Sequence, residues 1–251
     1  MSVRVAKSAG FCFGVSRAVE LVQQAAAAGK RTLTLGPIIH NRHVVEQFAA
    51  AGVRVIDSPE EAGPGDTVVI RSHGVSREVY KRLESTGAEI IDATCPFVKR
   101  IHGLVSQAEA EGRLPVIIGT PTHPEVEGIA GWCGDCRIFD SVDALKKWVQ
   151  EEEIGADTPI CMVSQTTSTE SLWKLCRNFA KKQFTNLKIF DTICKATEDR
   201  QTEAASLSRE CQAMVVVGDA KSSNTGRLAM ICREYCDRVA LVDDASELEP
   251  A

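Results

Sequence analysis

The chain has 251 residues, 44% of them hydrophobic and 25% charged, with a net charge of −5. That is enough chain for one large or two to three small globular domains. No apolar run approaches the roughly 20 residues of a membrane span, the N-terminus lacks the apolar core of a signal peptide, and no basic stripe points to nucleic acid. A cytoplasmic protein without membrane or nucleic-acid partners is therefore expected. Any anionic ligand must be held by a local site and not by a general field.

Taken in chain order, short aliphatic or β-branched runs alternate with amphipathic helical stretches. Strands are predicted over 32–35, 53–56, 67–70, 89–91, 115–118, 137–139, 159–163, 187–190, 214–217 and 239–241. Helices are predicted over 15–28, 44–51, 76–85, 97–111, 141–150, 168–184, 198–208 and 225–235. The alternation predicts an α/β fold with mainly parallel sheets. Two loop types recur. One follows an aliphatic strand, in Val68-Val-Ile-Arg-Ser-His-Gly74, Val116-Ile-Ile-Gly-Thr-Pro-Thr-His-Pro-Glu125 and Val215-Val-Val-Gly-Asp-Ala-Lys-Ser-Ser-Asn224. The other places an Asp three residues before a Cys, in Asp92-Ala-Thr-Cys95 and Asp191-Thr-Ile-Cys194. These recurrences divide the chain into three related α/β units. The first spans 1–95, the second 96–191, and the third, 192–251, reads as incomplete at its C-terminus. Each unit brings one cysteine to the carboxyl end of a sheet, where open α/β sheets place ligands.

Ten cysteines are many for a cytosolic chain, where metal ligands, catalytic thiols or small buried residues are the usual roles. Cys12, Cys95 and Cys194 sit in loops entering helices, and helix N-termini favour thiolates. Their wide spacing argues against a local zinc finger and for a site where three units meet. Three thiolates would leave one iron of a four-iron cluster open, as a Lewis-acid site requires. Spacing alone leaves buried structural cysteine the commoner alternative. Trp132-Cys-Gly-Asp-Cys136 superficially resembles a thioredoxin pair but lacks the strand-before, helix-after context. Cys232 and Cys236 are placed at i, i+4 on a helix, and a zinc site uniting the two pairs is conceivable. Cys161, Cys176 and Cys211 read as small buried residues.

Three of the five histidines, His40, His73 and His123, stand in strand-end loops; His43 and His102 fall on helices. Ser222, Ser223 and Asn224 lie between a strand and a helix, where hydroxyls, an amide and free N–H groups suit phosphate and equally suit an N-cap. Glu125 is the carboxylate adjoining these His and Thr groups, the natural proton donor. Thr166, in Gln165-Thr-Thr167, ends another strand and could supply a hydroxyl.

Eight segments in this order resemble the LytB family of 4-hydroxy-3-methylbut-2-enyl diphosphate reductases: Gly10-Phe-Cys-Phe-Gly-Val15, Gly36-Pro-Ile-Ile-His-Asn41, Arg71-Ser-His-Gly74, Asp92-Ala-Thr-Cys-Pro96, Thr122-His-Pro-Glu125, Ser164-Gln-Thr-Thr167, Thr192-Ile-Cys-Lys-Ala-Thr197 and Ser222-Ser-Asn224. The resemblance implies three α/β units in pseudo-threefold arrangement around a [4Fe–4S] cluster held by Cys12, Cys95 and Cys194, with one open iron site. It implies reductive dehydroxylation of an allylic diphosphate to isopentenyl and dimethylallyl diphosphate, fed by reduced ferredoxin or flavodoxin. Glu125 would deliver a proton with Thr166 and His123 in the relay, and His40, His73, His123, Ser222, Ser223 and Asn224 would hold the diphosphate. The family's further Thr-Ala-Gly-Ala-Ser-like segment has no counterpart here, so weaker diphosphate binding is expected. Two other readings are a thiol redox enzyme using Cys133 and Cys136, and a non-catalytic zinc or cluster module.

Overall fold

The computed structural model describes residues 2–248; residues 1 and 249–251, which the expected first and third units include, lie outside the described residues. Nine α-helices and ten strands alternate among the described residues. The helices are α1 (Phe13–Ala27), α2 (Arg42–Ala50), α3 (Arg77–Ser85), α4 (Pro96–Ala110), α5 (Pro124–Ala130), α6 (Val142–Glu151), α7 (Glu170–Gln183), α8 (Lys195–Glu210) and α9 (Ser223–Arg233). The strands are β1 (Arg31–Leu35), β2 (Arg54–Ile56), β3 (Asp66–Ile70), β4 (Glu89–Asp92), β5 (Leu114–Ile118), β6 (Arg137–Phe139), β7 (Ile160–Ser164), β8 (Leu187–Ile189), β9 (Met214–Val217) and β10 (Val239–Val242).

Among the described residues all strand pairs are parallel, in three sheets ordered β2-β1-β3-β4, β6-β5-β7-β8 and β10-β9. The second sheet repeats the order of the first, and the third starts the same pattern. The central strands β3 and β7 are buried at every residue, as expected where helices cover both faces of a parallel sheet. Each four-stranded sheet therefore has two cores. Val22, Ile38 and Val69 pack on one face of the first, and Leu33, Val68 and Leu83 on the other. Ile118, Met162 and Trp173 line one face of the second, and Ile101, Ile117 and Val163 the other. In β9 burial alternates instead, with Val215 and Val217 exposed.

One helix departs from the sequence reading. Residues 124–130, which carry no predicted helix, form α5. Its seven residues are too few to show a helical period, and Gly128 interrupts them, yet Pro124 at the first helical position and the His123 cap start it firmly. Cys236 lies past the end of α9, so it shares no helix with Cys232. Cys211, expected to be buried, is half-exposed at the end of α8, whereas Cys161 and Cys176 are buried.

Candidate active site

The chain leaves β1, β3, β5, β7 and β9 at their carboxyl ends, and these five loops converge. His40 follows β1, His73 follows β3 and His123 follows β5. Their rings sit 4.6 Å (His40–His73), 5.8 Å (His40–His123) and 5.4 Å (His73–His123) apart. Thr166 follows β7 and reaches Glu125. Its backbone N–H donates to Glu125 Oε1 at 2.6 Å and its hydroxyl to Oε2 at 2.8 Å. Glu125 is 2% exposed, on the first turn of α5, and donates its own N–H to His123 Nδ1 at 3.1 Å. Ser223 follows β9 and contacts the Thr167 hydroxyl at 3.0 Å. Ser222 caps α9 by accepting the Thr225 N–H, and Asn224 lies half-buried in the first turn. The residues expected to bind phosphate thus lie on neighbouring loops, with Ser222 already engaged as a cap.

The three sequence-selected cysteines share one local structure. Cys12 is the N-cap of α1, Cys95 of α4 and Cys194 of α8. Each is tied to a neighbouring element. Cys95 N–H donates to the Ser72 carbonyl and Cys194 N–H to the Thr166 carbonyl. The segment before Cys12 is fixed by Glu203, which accepts from Lys7 N–H at 2.7 Å and Ser8 N–H at 2.8 Å, and by Arg200, which donates to the Ser8 and Gly10 carbonyls. Gly14 passes so close to Cys95 that a Cβ there would lie 2.6 Å from its Sγ. Burial raises the Cys95 thiol, opposed by the Phe97 and Val98 N–H groups. Burial likewise raises the Cys194 thiol, opposed by the N–H groups of Ala196 and Thr197. The nearby Cys12 adds to both rises, which places the three thiols within range of one another's charge.

This donor set fits a polynuclear group better than one ion. Sulfurs around a single zinc stand about 2.3 Å from it and so within about 4 Å of each other. Among the described residues, the set of three ligand atoms within 4.8 Å of one another belongs to the histidines, not to these cysteines. Three soft, mutually repelling thiols, spaced more widely and aimed from three helix starts, suit an iron–sulfur cluster. No zinc-like set joins Cys133 and Cys136 to Cys232 and Cys236 among the described residues.

The histidine cluster stands beside two arginines. Burial pushes His123 down to about 4, His73 well below its ordinary value, and His40 down as well. Two arginines add to this lowering. Arg71 lies half-buried beside all three histidines, donating to the Gly74 carbonyl at 3.3 Å. Arg227 acts on His123 and reaches Thr120 Oγ1 and Ser223 Oγ, each at 3.4 Å. Neither forms an ion pair among the described residues. His40 Nε2 and His73 Nδ1 are buried atoms with no hydrogen-bond partner among the described residues. Buried imidazole nitrogens beside two guanidinium groups that form no ion pair among the described residues make an anionic ligand chemically favourable here. Burial also raises the Glu125 carboxyl, against the two Thr166 bonds and the Arg227 charge.

Sequence reasoning missed Arg227 and gave Arg71 no role. Arg227 stands four residues after Ser223 and so on the same helix face, a signal that was available. It also missed Asp219 and Lys221, which flank His40 with opposite charges. His43 and His102 lie on helices as expected. His43 faces Asp244 at 3.2 Å, and His102 is buried and stacked on Trp132.

A family model described as "LytB protein" matches residues 3–251. The chain is 40% identical to the 4-hydroxy-3-methylbut-2-enyl diphosphate reductase of Thermoanaerobacter sp. (strain X514), and 41% identical to that of Caldanaerobacter subterraneus subsp. tengcongensis. Each alignment covers 99% of this chain and 86% of the relative. Among solved structures it resembles (E)-4-hydroxy-3-methyl-but-2-enyl diphosphate reductase, the terminal enzyme of the non-mevalonate pathway, with TM-score 0.72 and 36% identity over 99% of this chain and 88% of that one. It also resembles the E-1-hydroxy-2-methyl-but-2-enyl-4-diphosphate reductase of Plasmodium falciparum, with TM-score 0.89 and 26% identity over 96% and 76% of the two chains.

Proposed function

Since this chain belongs to the LytB family, we propose that Cys12, Cys95 and Cys194 hold a [4Fe–4S] cluster beside a diphosphate pocket built on the three histidines. The chain is an oxidoreductase of the non-mevalonate isoprenoid pathway, acting on 4-hydroxy-3-methylbut-2-enyl diphosphate. Removing the allylic hydroxyl as water consumes two electrons and two protons, one proton leaving in the water and the other on carbon. The cluster, when bound, supplies single electrons and a Lewis-acidic iron.

This chain's own residues hold the substrate and move the proton. Arg71 and Arg227 bring permanent positive charge to the diphosphate, while His40, His73 and His123 bring hydrogen-bond donors that the ligand's charge can protonate. Ser223 and Asn224 contribute from the start of α9, a helix end whose first N–H groups suit a phosphate. Glu125 is the proton donor. Its burial keeps the protonated form accessible, and Thr166 fixes both of its oxygens. His123 is bonded through Nδ1 to the Glu125 N–H, which leaves its other nitrogen for the anion. Anchoring the diphosphate places the hydroxyl for reaction, so binding energy from the remote group is used at the reacting carbon.

The observation that carries this reading is the convergence of three helix-capping cysteines next to a buried, Thr-bound glutamate. No helix among the described residues is long and apolar enough to cross a membrane, and we place the enzyme in the cytoplasm with a reduced ferredoxin or flavodoxin as donor. The test is an anaerobic preparation with iron and sulfide counted. Wild type should contain equal iron and sulfide and consume the allylic diphosphate. Cys12→Ser, Cys95→Ser and Cys194→Ser should each lose the cluster, whereas Cys136→Ser should not. A colourless, active wild type that is inactivated by Cys136→Ser would instead establish a thiol redox enzyme.

A further inference from the structure

Seven cysteines have no part in the site described above. Cys161, Cys176, Cys232 and Cys236 are buried, and burial raises the first three thiols and so makes them inert. Cys211 is half-buried. Cys133 and Cys136 differ from these. Both are half-buried, and their thiols are in hydrogen-bonding contact with each other. They bracket the exposed Gly134 and Asp135 in the loop between α5 and β6.

This loop is fixed at its base and open at its tip. Cys133 Sγ donates to the carbonyl of Ala130, the last residue of α5, at 3.4 Å. Trp132 Nε1 donates to the Val75 carbonyl at 2.9 Å, and the Trp132 carbonyl accepts from the Ser106 hydroxyl at 2.8 Å and from Arg77 at 2.9 Å. The Gly134 N–H donates to the Glu109 carboxylate on α4. Sulfurs held together in this way need little backbone movement to join.

The two thiols are unequal. The S–H of Cys133 and then the charge of Arg137 lower the Cys136 thiol. The same contact, burial, and the charges of Cys136, Glu109 and Asp135 raise Cys133. A lowered thiol beside a raised one divides the work between a nucleophile and a resolving partner. The pair follows the end of a helix and does not open one, so no helix N-terminus stabilises the thiolate form. Without that stabilisation the disulfide is within reach of mild oxidants.

We infer that Cys133 and Cys136 form a reversible dithiol–disulfide site, oxidised by the disulfide of a small thiol. The Cys136 thiolate attacks one sulfur of the oxidant, which forms a mixed disulfide and releases one thiolate, and this takes up the proton that Cys136 lost. Cys133 then loses its proton and attacks Cys136 Sγ. The 133–136 bond closes, and the second thiolate leaves and takes that proton. The two cysteines give up two electrons and two protons, and the oxidant's disulfide gains both. Closure also removes the S–H that Cys133 donates to Ala130, so the change is felt at the end of the helix whose first turn carries Glu125.

The experiment adds glutathione disulfide to cluster-loaded protein without oxygen, and reads the products by peptide mass. Wild type should release two glutathiones per chain from this loop and yield a peptide joined between residues 133 and 136, two hydrogens lighter and free of adduct. Cys133→Ser should stop at a glutathione adduct on Cys136, and Cys133→Ala, which spares the apolar packing, should do the same. Cys136→Ser should form its adduct on Cys133 at least fivefold more slowly. Dithiothreitol should restore both thiols of wild type, with cluster absorption unchanged throughout. A wild type that keeps an adduct and forms no 133–136 bond, a bond from either residue to another cysteine, or faster reaction of Cys136→Ser than of Cys133→Ser would each overturn the inference. The inference does not rest on the reductase reading: a chain that closes this disulfide but turns over no allylic diphosphate would remove that reading alone.

Discussion

Replacing Glu125 with Gln tests the chemistry with little structural disturbance. The carboxylate has two partners, both on Thr166: the N–H at 2.6 Å and the hydroxyl at 2.8 Å. A glutamine can keep both bonds. Its oxygen accepts from the N–H, and its amide donates to the Thr166 hydroxyl, which reverses from donor to acceptor. The variant also removes the cost of burying a charge, so its stability should lie within about 1 kcal/mol of wild type. Activity should behave differently, because an amide has no carboxylic proton to give. Loss of a positioned general acid costs about 10²–10⁴-fold, or roughly 3–5 kcal/mol of barrier. Thr166→Val is the complementary change. It strands one buried carboxylate oxygen at a cost of about 1–3 kcal/mol in stability. The assay is viologen-driven turnover of the allylic diphosphate by cluster-loaded protein, with thermal unfolding alongside. Turnover by Glu125→Gln within tenfold of wild type, at unchanged cluster content, would refute the role of this carboxyl as proton donor.

Arg227→Met should keep the aliphatic packing but remove the charge, weakening diphosphate binding about tenfold to a hundredfold, the worth of a charged hydrogen bond; calorimetry with inorganic diphosphate reads it. Binding should also take up protons. The free histidines are held below their ordinary value, His123 at about 4, and a bound anion raises them. More protons are then held in the complex than in the free protein, so affinity should fall as pH rises between about 5 and 8. Calorimetry in buffers of different ionisation heat would detect the uptake, and its absence would show that the arginines carry the charge unaided. The same lowering has a second consequence. The unfolded histidines titrate near 6.5 and His123 in the fold at about 4, so the stability these groups contribute is present above pH 6.5 and lost as pH falls towards 4.

Much of this was legible in the sequence, and the parts that were not share a cause. Runs such as Thr67-Val-Val-Ile70 declare strands because a buried parallel strand needs apolar residues on both faces. The strand order β2-β1-β3-β4 has no such local signature, since it depends on which edges pair after the chain returns through a helix. Cys12, Cys95 and Cys194 were found because each precedes a helix, a feature written in neighbouring residues. Arg71 and Arg227 were overlooked or left without a role because a single arginine looks the same whether it faces water or a pocket. What distinguishes them is the missing carboxylate partner, and that is visible only in three dimensions. Glu125 was identified by its His and Thr neighbours, but its helix was not, because α5 is short and opens with proline.

The nine α-helices among the described residues divide by how they begin. Asn41, Ser76, His123, Ser141, Thr169 and Ser222 each close their helix with a side-chain bond, whereas Cys12, Cys95 and Cys194 make none. An oxygen-bearing cap is worth about 1 kcal/mol. Serine at any of these three positions should therefore make the metal-free polypeptide sturdier while, on the proposed ligation, removing a cluster ligand. A laboratory screen that selected survivors of heating alone would enrich for dead enzyme at these three loci, so directed evolution of this scaffold has to score colour together with resistance to heat.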